Sequence, residues 1–181
     1  MPSDDWEAHW QSYAEAAALN PAQAFRRRLV LGWLELERAP APVRLLELGS
    51  GQGDLARELC GARPDAELLG LDRSQTGIDL ARHKAPNAAF LVCDLERPLE
   101  LPERYRSWAT HAVCSEVLEH VADPVALLAR VRPLLTPGGR LVVTVPGGRA
   151  PPSTGTSGIG AISSSASSRR CSATPAIARA R

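Results

Sequence analysis

The spacing of apolar residues changes character along this chain. Between residues 4 and 38 they recur at helical intervals: Trp6, Trp10 and Tyr13, then Phe25, Leu29 and Trp33. Asn20-Pro21 supplies a cap followed by a first-turn proline, so the segment predicts two helices. Pro40-Ala41-Pro42 punctuates the chain. Short apolar runs then alternate with amphipathic stretches. The pattern predicts strands at Val43–Leu48, Ala66–Leu71, Ala88–Cys93, Ala109–Cys114 and Arg140–Val145. Helices are expected at Asp54–Cys60, from about Gln75 to His83, and from Pro124 to about Val131, with a turn at Pro137-Gly138-Gly139. Strands alternating with helices define an α/β, Rossmann-like, doubly wound and mostly parallel sheet.

Beyond Pro146 the periodicity stops. Ser, Ala, Gly, Pro and Thr dominate, a composition that buries too little apolar surface to offset its ordering entropy. The expected organisation is therefore N-terminal helices over 1–40, a ligand-binding α/β domain over 41–148, and a disordered tail over 149–181. Charge divides at the same place. Arg149, Arg169, Arg170, Arg179 and Arg181 lie in the tail, and no acid follows Asp123. Setting those five aside from the 21 basic residues leaves 16 against 20 acids, so the body carries −4 and the tail +5. The tail arginines are scattered without aromatics, which argues against nucleic acid as a partner.

No apolar run approaches the ~20 residues of a membrane span. The polar, acidic start Met1-Pro2-Ser3-Asp4-Asp5 has none of the features of a secretory signal, so a cytoplasmic location is expected. Of the cysteines Cys60, Cys93, Cys114 and Cys171, none forms a C-x-x-C pair, and no metal site is expected.

Chemistry-bearing residues gather where predicted strands end. Glu47-Leu48-Gly49-Ser50-Gly51-Gln52-Gly53-Asp54 is a glycine-rich turn between the first strand and its helix. Such a turn lets a ligand approach the backbone and the free N–H groups of a helix start. Its spacing is G-x-G-x-G. The dinucleotide pattern G-x-G-x-x-G/A would want Gly or Ala where Asp54 stands. Asp72, about 20 residues on, ends the second strand where an acid can accept from ribose hydroxyls, although a strand-end Asp can equally cap the next helix. Asp94 follows the third strand within reach of an adenine amino group, with helix capping again the competing role. Ser115, Glu116, Glu119 and His120 leave the fourth strand in Cys114-Ser115-Glu116-Val117-Leu118-Glu119-His120-Val121. They are candidates to line a pocket, and packing at a helix start is the alternative for His120.

The order and spacing of these motifs resemble the class I S-adenosylmethionine-dependent methyltransferases, in particular the group typified by ubiquinone-biosynthesis methyltransferases. E-L-G-x-G-x-G, the strand-end Asp, V-L-E-H-V and Leu135-Thr136-Pro137-Gly138-Gly139-Arg140-Leu141 carry the likeness, over roughly residues 43–147. The resemblance implies S-adenosyl-L-methionine as cofactor. Glu47, Gly49, Gly51 and Gly53 would shape the methionine pocket, Asp72 would hold the ribose hydroxyls, Asp94 and Leu95 would flank the adenine, and Ser50 and Arg73 would also belong to the cofactor site. Ser115 and Glu116 would sit beneath the sulfonium. It implies methyl transfer to an O, N or C nucleophile of a small-molecule acceptor, with His120 as the candidate general base. N-terminal helices in such enzymes often close over the site. Trp6, Trp10, Tyr13 and Arg26 are the residues available for that, with packing the favoured role for the aromatics. The alternatives are a non-catalytic cofactor-binding remnant lacking its acceptor site and an NAD-dependent oxidoreductase, which the glycine spacing disfavours. The acceptor and the oligomeric state are not legible.

The family's sheet usually continues past the fifth strand, and here the serine-rich tail stands in its place. A shifted reading frame would account for this, since a neighbouring frame can encode F-D-R-H-I-G-H-R-R-H-F across Ser153–Ser163 and an amphipathic helix beyond it; the alternative is a natural disordered tail. The sheet is then expected to be incomplete at its C-terminal edge. Sequencing the gene tests this, since a closed second frame excludes it.

Overall fold

A computed structural model describes residues 5–147 of the 181. The expectations for the tail, including the shifted frame and Cys171, fall outside the described residues.

The first two helices divide where the sequence places the break. Helix α1 (Trp6–Leu19) starts at Asp5, whose carboxylate accepts from the Ala8 N–H at 3.0 Å. Helix α2 (Pro21–Leu34) starts at Asn20, whose side chain accepts from Ala22 N–H at 2.9 Å. These caps satisfy amides that the first helical turn leaves open. Then follow β1 (Arg44–Leu48), α3 (Asp54–Ala62), β2 (Glu67–Asp72), α4 (Gln75–Lys84), β3 (Ala89–Val92), β4 (Ala109–Ser115), α5 (Pro124–Val131) and β5 (Leu135–Thr144).

The strands form one parallel sheet in the order β3-β2-β1-β4-β5. From β1 the chain winds outward through β2 to β3, then returns beside β1 as β4 and continues to β5. The order reverses between β1 and β4, and open α/β sheets bind ligands at the carboxyl ends of strands at such a switch point.

Period-two alternation distributes the core over both faces. Leu45, Leu68, Val113 and Val142 pack under Val30, Leu34, Leu55, Leu59 and Ile78 of α2, α3 and α4. Leu46, Leu48, Leu69, Leu71, Ala112, Cys114 and Val143 face Leu127 and Val131 of α5. Burial of both faces explains why the strands read as continuous apolar runs.

The fifth strand begins earlier than the pattern indicates. Leu135 already pairs with Ala109. The Pro137-Gly138-Gly139 segment then departs from the ladder with Gly138 at φ 78°, and pairing resumes with Arg140 opposite His111. The predicted turn is therefore a bulge inside a strand. Among the described residues β5 is an edge strand.

Candidate active site

A cavity of about 720 Å³ opens at the carboxyl ends of the strands, bordered by α1 and α2. Its glycine-rich wall is stapled to β2. Gly49 and Ser50 donate their N–H groups to Leu71 C=O at 2.8 and 3.0 Å, and Gly51 N–H donates to Asp72 Oδ2 at 2.7 Å. Asp72 Oδ1 accepts from Ser74 N–H at 2.9 Å, and Ser74 Oγ caps α4 by accepting from Gly77 N–H at 3.0 Å. Asp72 thus braces the residue that caps α4 and also lines the cavity. Burial raises its pKa despite the amides that favour its charge.

The glycines are not equivalent. Gly51 lines the cavity with φ 50°, and a Cβ there would meet the Trp10 ring at 2.5 Å. Gly53, expected to shape the ligand pocket, is not among the lining residues. It caps α3 at φ 80°, where a Cβ would lie 2.7 Å from Ala81 Cα of α4. Its lack of a side chain lets two helices approach. Asp54 pairs with Lys84 at 2.7 Å and accepts from Gln52 Nε2 at 2.8 Å, which accounts for an acid where the dinucleotide pattern wants Gly or Ala.

Glu47 reaches the cavity from β1 and is 3% exposed. Burial, with Asp72 and Asp54 nearby, pushes its carboxyl well above the ordinary carboxylate range. Its Oε2 has no hydrogen-bond partner. Nor have the buried Ser50 Oγ and Trp10 Nε1, and all three residues line the same cavity. Buried polar atoms are rarely left unpaired, and these three share one wall.

Arg73, Asp94, Leu95, Ser115, Glu116 and His120 also line the cavity. Arg73 is exposed at its rim and Leu95 is buried. Asp94 accepts from Glu96 N–H at 3.0 Å. Ser115 Oγ and Thr144 Oγ1 share a hydrogen bond of 2.8 Å, and Thr144 donates to Glu116 Oε1 at 3.0 Å. Glu116 Oε2 meets Arg26 of α2 at 3.0 Å. Glu119 Oε1 lies 3.8 Å from His120 Nε2, and burial raises the Glu119 pKa, with Glu116 adding to the effect. The Trp6 ring stands edge-on to His120 at 4.9 Å.

Every sequence-predicted site residue except Gly53 therefore lines one cavity. Sequence reasoning gave Trp10 mainly to packing and passed over Cys93, Gln52 and Glu7. Glu7 accepts from Gln75 and Thr76 N–H at 2.7 and 3.0 Å, docking α1 on the start of α4. An acid one position after Trp6, in a helix with few other charges, is a signal that was available. The Tyr13 side chain falls outside what the structure describes. Among the described residues no group of three His, Cys, Asp or Glu is placed to hold a metal ion.

The fold and cavity have counterparts in known proteins. Residues 46–141 match a family described as methyltransferase domain. Trans-aconitate 2-methyltransferase of Methylobacterium radiotolerans is 35% identical over 119 residues, covering 65% of this chain and 44% of that protein. Demethylmenaquinone methyltransferase of Deinococcus radiodurans is 37% identical over 117 residues, covering 62% and 48%. Ubiquinone biosynthesis O-methyltransferase of Ruegeria pomeroyi is 29% identical over 144 residues, covering 77% and 57%. The CurJ carbon methyltransferase superimposes with a TM-score of 0.67 at 19% identity, covering 79% of this chain and 40% of that one. The plantazolicin methyltransferase BpumL, solved with S-adenosylhomocysteine (SAH), gives 0.63 at 20%, covering 78% and 57%.

The chain belongs to the methyltransferase domain family, the class I S-adenosylmethionine-dependent enzymes, and S-adenosylmethionine is its cofactor. It spans about half the length of the curated relatives it matches.

Proposed function

We propose that this chain transfers a methyl group from S-adenosylmethionine to an O, N or C nucleophile of a small molecule, in a cytoplasmic setting. The observation that carries the reading is the cluster of three unpartnered buried polar atoms, on Glu47, Ser50 and Trp10, around one cavity at the switch point of the sheet. A ligand rich in hydroxyl, amine and carboxylate groups suits that wall, and the site's residues fit the cofactor on this ground.

When bound, S-adenosylmethionine supplies a methyl group already activated on sulfonium. What the chain must add is chiefly placement, which can supply much of the acceleration. In this reading Asp72 accepts from the ribose hydroxyls, because each of its oxygens takes one backbone N–H and keeps a lone pair. Asp94 and Leu95 flank the adenine, with Arg73 at the rim. Glu47, Gly49, Ser50 and Gly51 bound the methionyl portion, and Ser115 and Glu116 lie below the reacting centre. His120 Nε2 takes the acceptor's proton where the nucleophile needs one removed. The residue ranges 1–40 and 41–148 then act as a covering pair of helices and a cofactor-binding unit, an assignment supported by the match over 46–141 and by α1 docking on α4.

Calorimetric titration of S-adenosylmethionine into the full chain, with NADH as control, tests the cofactor. Binding of the former alone is expected, and a folded chain that ignores it overturns the reading. Turnover of tritiated S-adenosylmethionine with a panel of carboxylic, phenolic and quinol acceptors tests the transfer. Methyl release with none of them, despite cofactor binding, favours the non-catalytic alternative. With a working acceptor, His120→Ala is expected to lower kcat at least tenfold, and an unchanged kcat removes His120 from the mechanism.

A further inference from the structure

We propose that Trp10 of α1 is a cofactor-contacting residue, its indole Nε1–H donating to an oxygen of bound S-adenosylmethionine. The proposal rests on the cofactor reading above and adds to it a donor that no strand-end motif supplies.

The argument begins with an unpaired donor. Trp10 Nε1 is buried and has no hydrogen-bond partner, although buried tryptophan N–H groups ordinarily find one. The ring lies on Gly51 of the cavity wall and on Gly77 in the first turn of α4. A Cβ at Gly51 would meet Trp10 Cζ2 at 2.5 Å, and a Cβ at Gly77 would meet Cδ1 at 3.0 Å and Nε1 at 3.1 Å. Asp72 and Ser74 hold these same two glycines through their backbone amides. The indole N–H therefore sits within one helical turn of the residues that organise the ribose side of the cavity. The other two unpartnered buried atoms among the described residues, Glu47 Oε2 and Ser50 Oγ, belong to the same wall.

Trp10 is also held from its own helix. Glu7, one turn earlier, caps the start of α4 through Gln75 and Thr76 N–H, and His9 meets the Trp10 ring edge-on at 4.9 Å. Glu7 and Trp10 lie on one helical face, so α1 brings the indole to the cofactor wall as a unit. An acceptor oxygen arriving there pairs the donor after a small adjustment of α1.

The test is SAH binding to the full-length chain and to Trp10→Phe, which keeps a ring and removes the donor. Loss of one hydrogen bond corresponds to about fivefold weaker binding. In parallel, the indole N–H signals of the 15N-tryptophan-labelled wild-type chain are followed as SAH is added. The Trp10 signal is expected to move, with Trp33 and Trp108 as internal references. This arm reads the wild-type protein and holds even if Trp10→Phe folds poorly. Unchanged affinity with an unmoved Trp10 signal, while SAH still binds, overturns the proposal and leaves the cofactor reading standing. Tighter binding by Trp10→Phe also overturns it, since the ring would then be an obstruction. A folded wild-type chain that does not bind SAH removes the cofactor reading and this proposal with it.

Discussion

Arg26 of α2 and Glu116 at the end of β4 meet at 3.0 Å across the cavity mouth, with side chains 23% and 19% exposed. The pair joins a covering helix to the sheet and closes a network running through Thr144 and Ser115. Glu116 needs this support because it holds φ 56°, a conformation that favours glycine. Arg26→Ala leaves the carboxylate partly buried without its cation. The expected loss is about 1–2 kcal/mol, between the limits for exposed and buried pairs. Urea unfolding checks it, and Arg26→Ala combined with Glu116→Gln should lose less than the sum of the two single changes. Strict additivity would mean that the pair contributes nothing.

Glu47 makes stability depend on pH in the direction opposite to a paired carboxylate. Burial raises its folded pKa above the ordinary 4.5. Between those two values the unfolded chain has released a proton that the native chain retains. Stability from this group is therefore full below the unfolded pKa and is lost as pH rises through the folded one. Glu47→Gln removes the titration, so its Tm should exceed that of the wild type at neutral pH, with the difference shrinking toward pH 4. A Gln variant less stable at every pH would contradict this sign.

The sheet was legible because its strands are buried on both faces and its helices on one. Leu68-Leu69-Gly70-Leu71 and the Leu55, Leu59 spacing read differently for that physical reason. The strand-end residues were legible because a parallel sheet collects its carboxyl ends on one edge, which brings Glu47, Asp72, Asp94 and Ser115 together from four strands. What joins the site from elsewhere was less readable. The reach of Arg26 to Glu116 depends on how α2 lies over the sheet, and Trp10 has the same spacing in a packing helix as over a cofactor wall. Gly53 shows a related limit: a glycine needed against Ala81 and one needed against a ligand look alike in sequence.

That difference separates Gly51→Ala from Gly53→Ala. At Gly53 the added methyl meets backbone atoms of α4 that cannot yield, at a left-handed φ of 80°. Gly53→Ala should lower the Tm markedly, equivalent to about 2–3 kcal/mol. At Gly51 the obstacle is the Trp10 ring, which can move with α1. Gly51→Ala should cost less stability and weaken SAH binding at least tenfold. Thermal melts and titrations on both variants distinguish the two roles, and equal effects on folding and binding would merge them.

Cysteine reactivity reports cofactor occupancy without any acceptor. Cys114 lies on β4, fully buried, with its thiol pushed up to about 12 by burial, so it should resist iodoacetamide until the chain unfolds. Cys60 and Cys93 are partly accessible, and burial raises both thiols. Only Cys93 of the three lines the cavity, one residue before Asp94, whereas Cys60 packs against the core. Saturating SAH should therefore slow alkylation of Cys93 severalfold and leave Cys60 unchanged, as read by peptide-resolved mass spectrometry at pH 8. Equal protection of both cysteines would indicate general tightening of the fold, and no protection of Cys93 would place the bound adenine away from the end of β3.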